Sequence, residues 1–600
     1  MTDIAPSMSE LGHRLSRLRA ELDQRGLAGF LVPRADAHQG EYVPPHDARL
    51  AWLTGFTGSA GTAIILMGSA AIFVDGRYTL QVRDEVDINL IKPLPVMEQS
   101  PEDWIASNLG AGGRLGYDPW LHTPDGVERM KMACATAGAV LEACTDNPID
   151  AVWEDQPLPP KAAITPYPLE YAGEASGSKR ARIGALVMKC PADAAVLTMP
   201  DSIAWLLNIR GGDVSHSPLP LSFAILYGDA RCELFLDPDK ISDGLAAHLG
   251  DQVTLYDPRR LGPALDALGK TAQRVLLDTG TAAAWISSRL AAAGAKIISG
   301  ADPCSLPKAR KNSTEIAGMQ KAHVRDGAAL CNFLAWLDQA GDGLDEITAS
   351  DKLHGFREAT GCLRDLSFPT ISGAGPNGAI VHYRASAKSN RMLEPGNLYL
   401  LDSGAQYLDG TTDVTRTIAV GIPSAEQKDR FTRVLKGHIG LAAIRFPRGV
   451  TGAHLDVLAR AALWKAGLDY DHGTGHGVGC YLSVHEGPQS ISRRPNNVAL
   501  EPGMIVSNEP GYYKQGAYGI RIENLELVTE PRQIAGGERE MMGFQPLTLA
   551  PIDVRLVARE LLNDEEAEWL NSYHAAVRET LTPLVDVQTK AWLVEATRAV

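Results

Sequence analysis

Leu11, Leu15, Leu18 and Leu22 recur on one face at helical spacing, and Gly26 stands where such a helix would stop. The pattern then shifts to short apolar runs: Gly29-Phe30-Leu31-Val32, Thr62-Ala63-Ile64-Ile65-Leu66 and Ala71-Ile72-Phe73-Val74-Asp75. Each is short enough to be a buried strand, and helix and strand signals in alternation predict an α/β (α+β) class. The order recurs further on. Ala51-Trp52-Leu53 precedes a Gly-rich stretch, an apolar run and Phe73-Val74-Asp75; Ala204-Trp205-Leu206 precedes Gly211-Gly212, Phe223-Ala224-Ile225-Leu226 and Phe235-Leu236-Asp237. Two related α/β domains in tandem are expected, with Gln156-Pro157-Leu158-Pro159-Pro160 as the linker.

A third region opens near Asn312. Asn312 with Glu315, and later Ser424 with Gln427, have the spacing of N-terminal capping boxes. Each box precedes a long helical pattern, then Gly-rich turns and strands, which predicts two similar halves folded against each other. Apolar segments after residue 540, with a helical stretch over Asp564–Glu579, read as cover for this region or as an association surface. The expected domains are 1–155, 156–308 and 309–600, with 540–600 as a C-terminal extension.

Composition adds exclusions. The 600 residues are 45% apolar and 22% charged, ordinary for a globular chain of several domains. A net charge of −15 argues against nucleic acid as a partner, because phosphate neutralisation needs a basic face. No stretch of about 18 apolar residues occurs, so no membrane span is expected. Met1 to Pro6 lack the basic and then apolar pattern of a secretory leader. The eight cysteines are scattered with no C-x-x-C pair, which predicts a reduced, cytoplasmic protein with buried thiols.

The candidate chemistry lies between residues 382 and 523. Leu398-Tyr399-Leu400-Leu401 runs as a strand into Asp402; Asp409-Gly410 offers a turn; Thr411-Thr412-Asp413-Val414-Thr415 leaves it as a second strand. Paired as a hairpin, these strands bring Asp402 and Asp413 to one face as cross-strand neighbours roughly 5 Å apart. Two carboxylates that close repel, and either a raised pKa or a cation between them relieves this. Alone the pair reads equally as two solvated loop acids. His472-Gly473-Thr474-Gly475-His476-Gly477-Val478-Gly479 is dense in glycine, which permits unusual dihedrals and close backbone approach to a ligand. No Lys-Ser/Thr follows it, so it is not a phosphate loop. In Gly519-Ile520-Arg521-Ile522-Glu523-Asn524-Leu525, period two puts Arg521, Glu523 and Leu525 on one face. Glu523 has apolar neighbours, and a buried carboxylate needs a partner, either an arginine or a metal. With Glu509 in Asn508-Glu509-Pro510-Gly511, the set is four carboxylates and one imidazole. That suits a pair of Mn²⁺, Co²⁺ or Zn²⁺ ions, and thiols at zinc-finger spacing are absent.

These segments resemble the motifs of the pita-bread metallopeptidases, in the same order. The resemblance extends to Gly55-Phe56-Thr57-Gly58-Ser59-Ala60-Gly61 and Asp75-Gly76-Arg77-Tyr78. Within them the chain is similar to the three-domain Xaa-Pro aminopeptidase (aminopeptidase P) family. The resemblance implies two creatinase-like N-terminal domains before a pita-bread catalytic domain. It implies two divalent ions, Mn²⁺ first, with Asp402 and Asp413 on one, His476 and Glu509 on the other, and Asp413 and Glu523 bridging. His382, His472 and His485 match its active-site histidines, and Arg521 a partner that orients a ligating carboxylate. The implied reaction is hydrolysis of the bond between an N-terminal residue and a penultimate proline, by hydroxide held between the two ions. His485 would stabilise the oxyanion and Glu509 would carry the proton that the proline nitrogen needs to depart. A cytoplasmic homodimer acting on proline-second peptides is the implied setting. A prolidase-like dipeptidase and a non-catalytic binding protein on the same fold are the alternatives.

Overall fold

The computed structural model describes residues 8–340 and 343–600. The stretch read above for a leader, Met1 to Pro6, lies outside them. The chain divides into two compact units, one running to Leu169 with Glu174–Ser305, the other comprising Glu170–Gly173 with Leu306–Val600. Among the described residues, no helix is long and apolar enough to cross a membrane.

The first unit holds two six-stranded sheets. In the first, the strands are Gly29–Pro33, Thr62–Leu66, Ala70–Val74, Lys92–Pro95, Arg114–Tyr117 and Val140–Ala143; in the second, Ala194–Leu197, Phe223–Tyr227, Cys232–Phe235, Val253–Tyr256, Arg274–Leu277 and Lys296–Ser299. Numbered within each sheet, both run in the order 4-3-2-1-5-6. In both, strands 1 and 2, and 2 and 3, pair antiparallel, while the outer pairings are parallel. The repeated A-W-L triplets sit at matching places, in the helices Arg49–Thr54 and Pro200–Leu207, each ended by a left-handed residue, Gly55 or Asn208. The leucine stripe of the helix Met8–Gln24 is buried against the first sheet's core. Residues 156–163 have no regular structure, as the prolines there predict.

The second unit repeats a simpler plan. The helices Ser313–Gln339 and Glu346–Glu358 precede a sheet of Ile371–Ala374, Leu398–Ser403 and Val414–Ala419. The helices Ala425–Ala442 and Gly452–Trp464 precede a sheet containing Gly475–Gly477, Glu486–Ile491, Ile505–Asn508 and Asn524–Val528. Both expected capping boxes form, at Asn312/Glu315 and Ser424/Gln427. The helix Asp564–Leu581 buries Leu570, Tyr573, Val577 and Leu581 in the same core as Phe431, Leu435 and Ile520. The extension therefore covers this unit.

The thiol reading needs correction. All eight cysteines are free, but Cys190 and Cys362 are exposed and Cys144 is half-buried. Both exposed thiols follow helix C-termini, where the chain turns outward and no core is available to them.

Candidate metal centre

Asp402 enters from the strand Leu398–Ser403, paired antiparallel with Val414–Ala419. Its register partner is Thr415, so Asp413 is two residues along the same face, diagonal to Asp402. The sequence expectation of a directly opposed pair is thus off by two residues. The cause is a small tip hairpin, Ala405–Tyr407 with Gly410–Thr411, which absorbs the residues between the long strands. Leu408-Asp409 forms its turn, not Asp409-Gly410.

Within the glycine-rich segment, Gly475–Gly477 is a strand. Gly475–Gly477 pairs with Glu486–Ile491 and Ile505–Asn508. Its glycines adopt no positive φ; they are needed for space. A Cβ on Gly475 would lie 2.0 Å from the Ser507 carbonyl oxygen, and one on Gly477 2.2 Å from that of Glu486. This tight packing carries His476 to the acids. His476 Nδ1 donates to the Gly477 carbonyl at 2.9 Å, which leaves Nε2 to face the acids. That nitrogen lies 3.5 Å from Asp413 Oδ2 and 3.7 Å from Glu509 Oε1. Burial opposes charging His476, but Asp413 and Glu509 outweigh it and lift its pKa to about 9. An imidazole between two carboxylates calls for positive charge there, a proton or a cation.

The segment 519–525 also differs from its sequence reading. Tyr518–Arg521 pairs with Gly511–Lys514 in one sheet, and Asn524–Val528 with Ile505–Asn508 in another. Glu523 lies at the crossover, so the single period-two face does not exist. The break serves the site: Thr415 Oγ1 donates to Glu523 Oε2 at 2.7 Å, and Glu523 N donates to the Thr415 carbonyl. Asp413, His476 and Glu523 each bring a donor atom within 4.8 Å of the others.

Arg521 donates from Nη2 to Asp402 Oδ2 at 2.6 Å, from Nε to Thr415 Oγ1 at 3.1 Å, and from Nη1 to the Tyr513 hydroxyl at 2.6 Å. The Tyr513 hydroxyl reaches His472 Nε2 at 2.8 Å, and His472 Nδ1 donates to the Gly473 carbonyl at 2.7 Å. His472 is therefore tied to Asp402 through two side chains. The His485 ring stands edge-on to His476, 4.3 Å between centroids. His382 is half-buried on the loop after the short helix Gly375–Ala379, which packs on the Arg521 strand. A Cβ on Gly519 would lie 1.7 Å from the Gly378 carbonyl oxygen.

Residues 317–530 match the model of metallopeptidase family M24, and 540–600 that of the C-terminal region of peptidase M24. Residues 14–147 and 155–315 each match a creatinase/prolidase N-terminal domain. Aminopeptidase P2 of Arabidopsis thaliana is 41% identical, over 98% of this chain and 88% of its own length. A probable Xaa-Pro aminopeptidase P of Paracoccidioides brasiliensis is 40% identical, over 98% and 99%. This chain belongs to the aminopeptidase P group of metallopeptidase family M24. The group's fold is matched by the crystal structure of X-prolyl aminopeptidase from Caenorhabditis elegans, described as a cytosolic enzyme with a di-nuclear active site. Its TM-score is 0.93 and its identity 33%, over 98% of this chain and 100% of that one. An Xaa-Pro dipeptidase from Bacillus anthracis, 25% identical, reaches a TM-score of 0.51 and covers 63% of this chain.

The donors of this M24 centre fit divalent cations on their own electrostatics. Burial, with Asp413, Glu509 and Asp402 nearby, pushes Glu523 well above the usual carboxylate range. Burial lifts Asp402 to about 7 even though Arg521 pulls against it, and its Oδ1 is buried with no hydrogen-bond partner among the described residues. Burial raises Glu509 too, against His476 and Arg521. Four crowded carboxylates, one with an unpartnered buried oxygen, and one imidazole nitrogen facing them are a hard-to-borderline ligand set. Sequence reasoning missed Thr415, Ser507 and Tyr513. Period two from Asp413 marks Thr415 as facing the site. Ser507 and Tyr513 have no comparable signal, because each acts across strands: the Ser507 hydroxyl accepts from His476 N at 2.9 Å and donates to Glu509 Oε1 at 3.2 Å.

Proposed function

We propose that this chain is a metal-dependent aminopeptidase that removes an N-terminal residue preceding proline. Asp402, Asp413, His476, Glu509 and Glu523 hold two divalent ions, Mn²⁺ being the expected metal. The observation that carries this reading is the convergence of Asp413, His476 and Glu523 donor atoms within 4.8 Å, with like-charged carboxylates crowded around them. Bound there, two divalent cations lower the pKa of water and polarise the scissile carbonyl.

The chain's own residues do the rest. Arg521 fixes the Asp402 carboxylate by its 2.6 Å contact, and Ser507 fixes that of Glu509. Glu509, partly exposed and raised in pKa, carries the proton to the departing proline nitrogen, which as a tertiary amide leaves only once protonated. His485, against the His476 ring, donates to the developing oxyanion. His382 and His472 contact the substrate. Hydrolysis of Arg-Pro-Pro against a Gly-Pro dipeptide tests the specificity: cleavage after arginine is expected, and cleavage of the dipeptide alone would favour a dipeptidase. Against the dipeptidase stands its match to only 63% of this chain. The three-part division at 155/156 and 308/309, a cytosolic location and a homodimer belong to the same reading; the described cytosolic relative supports the location.

A further inference from the structure

Behind Asp413 lies a small void that the chemistry above does not use. It measures about 10 Å³ and is lined by His323, Asp326, Thr412, Asp413 and Thr548, among others. One water needs about 10–15 Å³ and two to four polar partners. His323 is 97% buried, on the inner face of the helix Ser313–Gln339. Its Nδ1 donates to the Met319 carbonyl at 2.7 Å, which leaves Nε2 as a bare acceptor. Nε2 is buried and has no hydrogen-bond partner among the described residues. Such an atom costs roughly 1–3 kcal/mol when left unsatisfied.

The neighbours define what fills the gap. Asp326 is already occupied by Arg357, the Tyr407 hydroxyl and the Thr412 hydroxyl, at 2.8–3.0 Å. Of the polar side chains on the residues that line the void, the acceptors left are the unpartnered His323 Nε2 and the Asp413 carboxylate. Thr548 Oγ1 accepts from Leu525 N at 2.9 Å, so its hydrogen remains to give. Two acceptors and one donor are the complement of one water molecule.

We propose that His323 is a positioning residue for Asp413, acting through one buried water that donates to His323 Nε2 and to the Asp413 carboxylate and accepts from Thr548. Burial keeps the imidazole neutral, which preserves the acceptor. The bridge holds Asp413 turned toward His476 and Glu523. It rests on the reading of Asp413 as a metal ligand. Residues that only support a ligand typically contribute 10–100-fold to metal affinity.

The test is calorimetric titration of the chelator-stripped full chain with Mn²⁺, for the parent, His323→Phe and His323→Gln. Phenylalanine removes the acceptor, whereas glutamine returns an oxygen near the place of Nε2. His323→Phe should bind Mn²⁺ roughly 10–100-fold more weakly, and His323→Gln within a few-fold of the parent. A crystal structure of the parent should show the water, and this arm stands even if the phenylalanine variant does not fold. A dry void, or equal affinity for the parent and His323→Phe, or a glutamine variant as weak as the phenylalanine one, would overturn the inference. A parent that binds no Mn²⁺ would overturn the metal-site reading itself, and this inference with it.

Discussion

Glu523 sits at the crossover of two sheets, 2% exposed, held by the Thr415 hydroxyl and facing three other carboxylates. A charge so placed persists only with positive charge beside it. Glu523→Gln keeps the shape and removes the charge. Metal analysis should show loss of at least one ion per chain, and activity should fall by more than the roughly 100-fold that supporting residues contribute; a metal-replete, active variant would contradict the site. Glu526, three residues on, makes a separate prediction. Both its oxygens are buried. Burial pushes its pKa from 4.5 up to about 8, with Asn508 on the facing strand offsetting this only in part. The folded state thus keeps a proton that the unfolded chain has lost, so stability falls as pH rises from about 4.5 to about 8 and then levels off. Glu526→Gln should abolish that slope, and its melting temperature should gain on the parent's between pH 6 and pH 9. Parallel melting profiles would contradict the assignment.

Among the elements, glycines set how closely strands approach. Gly519 passes so near the Gly378 carbonyl that any side chain must push the His382 loop off the Arg521 strand. Gly519→Ala should destabilise by about 1–3 kcal/mol, as overpacking does, and should lower the melting temperature; an unchanged melt would mean the approach is not tight. Such packing explains what was legible in the sequence. Asn312/Glu315 and Ser424/Gln427 could be read because capping is a local hydrogen-bond pattern, and the leucines 11, 15, 18 and 22 because a helix face is a local periodicity. The ligand types could be read from their motifs. The diagonal placement of Asp402 and Asp413 could not, because a tip hairpin inside the longer hairpin shifts the register. The break at Glu523 also escaped, since apolar alternation continues straight through a point where the chain changes partner strands. Glycines 475 and 477 read as freedom for unusual dihedrals, yet neither has a positive φ and both mark close strand contact.

At the scale of the molecule, the C-terminal extension is bound into the catalytic unit through Arg416. This buried guanidinium donates to the carbonyls of Thr415 and Glu523 on one side, and to Ala550, Pro551 and the Tyr573 hydroxyl on the other. The strand beside Asp413 is thereby anchored to the last helices. Ending the chain after residue 545 would strip Arg416 of Ala550, Pro551 and Tyr573 and expose Phe431, Leu435 and Ile520, which pack in one core with the deleted Leu570, Val577 and Leu581. The truncated protein is expected to lose cooperative melting and Mn²⁺ binding together, as calorimetry and metal titration would show; a folded, metal-binding truncation would contradict this anchoring.

The central claim is that five side chains hold two ions and that the loaded centre cleaves before proline. The most direct measurement strips the full chain with a chelator, then follows Arg-Pro-Pro hydrolysis and bound metal as Mn²⁺ is returned. The account predicts no cleavage when stripped, and release of arginine that rises as two ions bind per chain. Undiminished cleavage in the chelator, or full metal loading without arginine release, would contradict it.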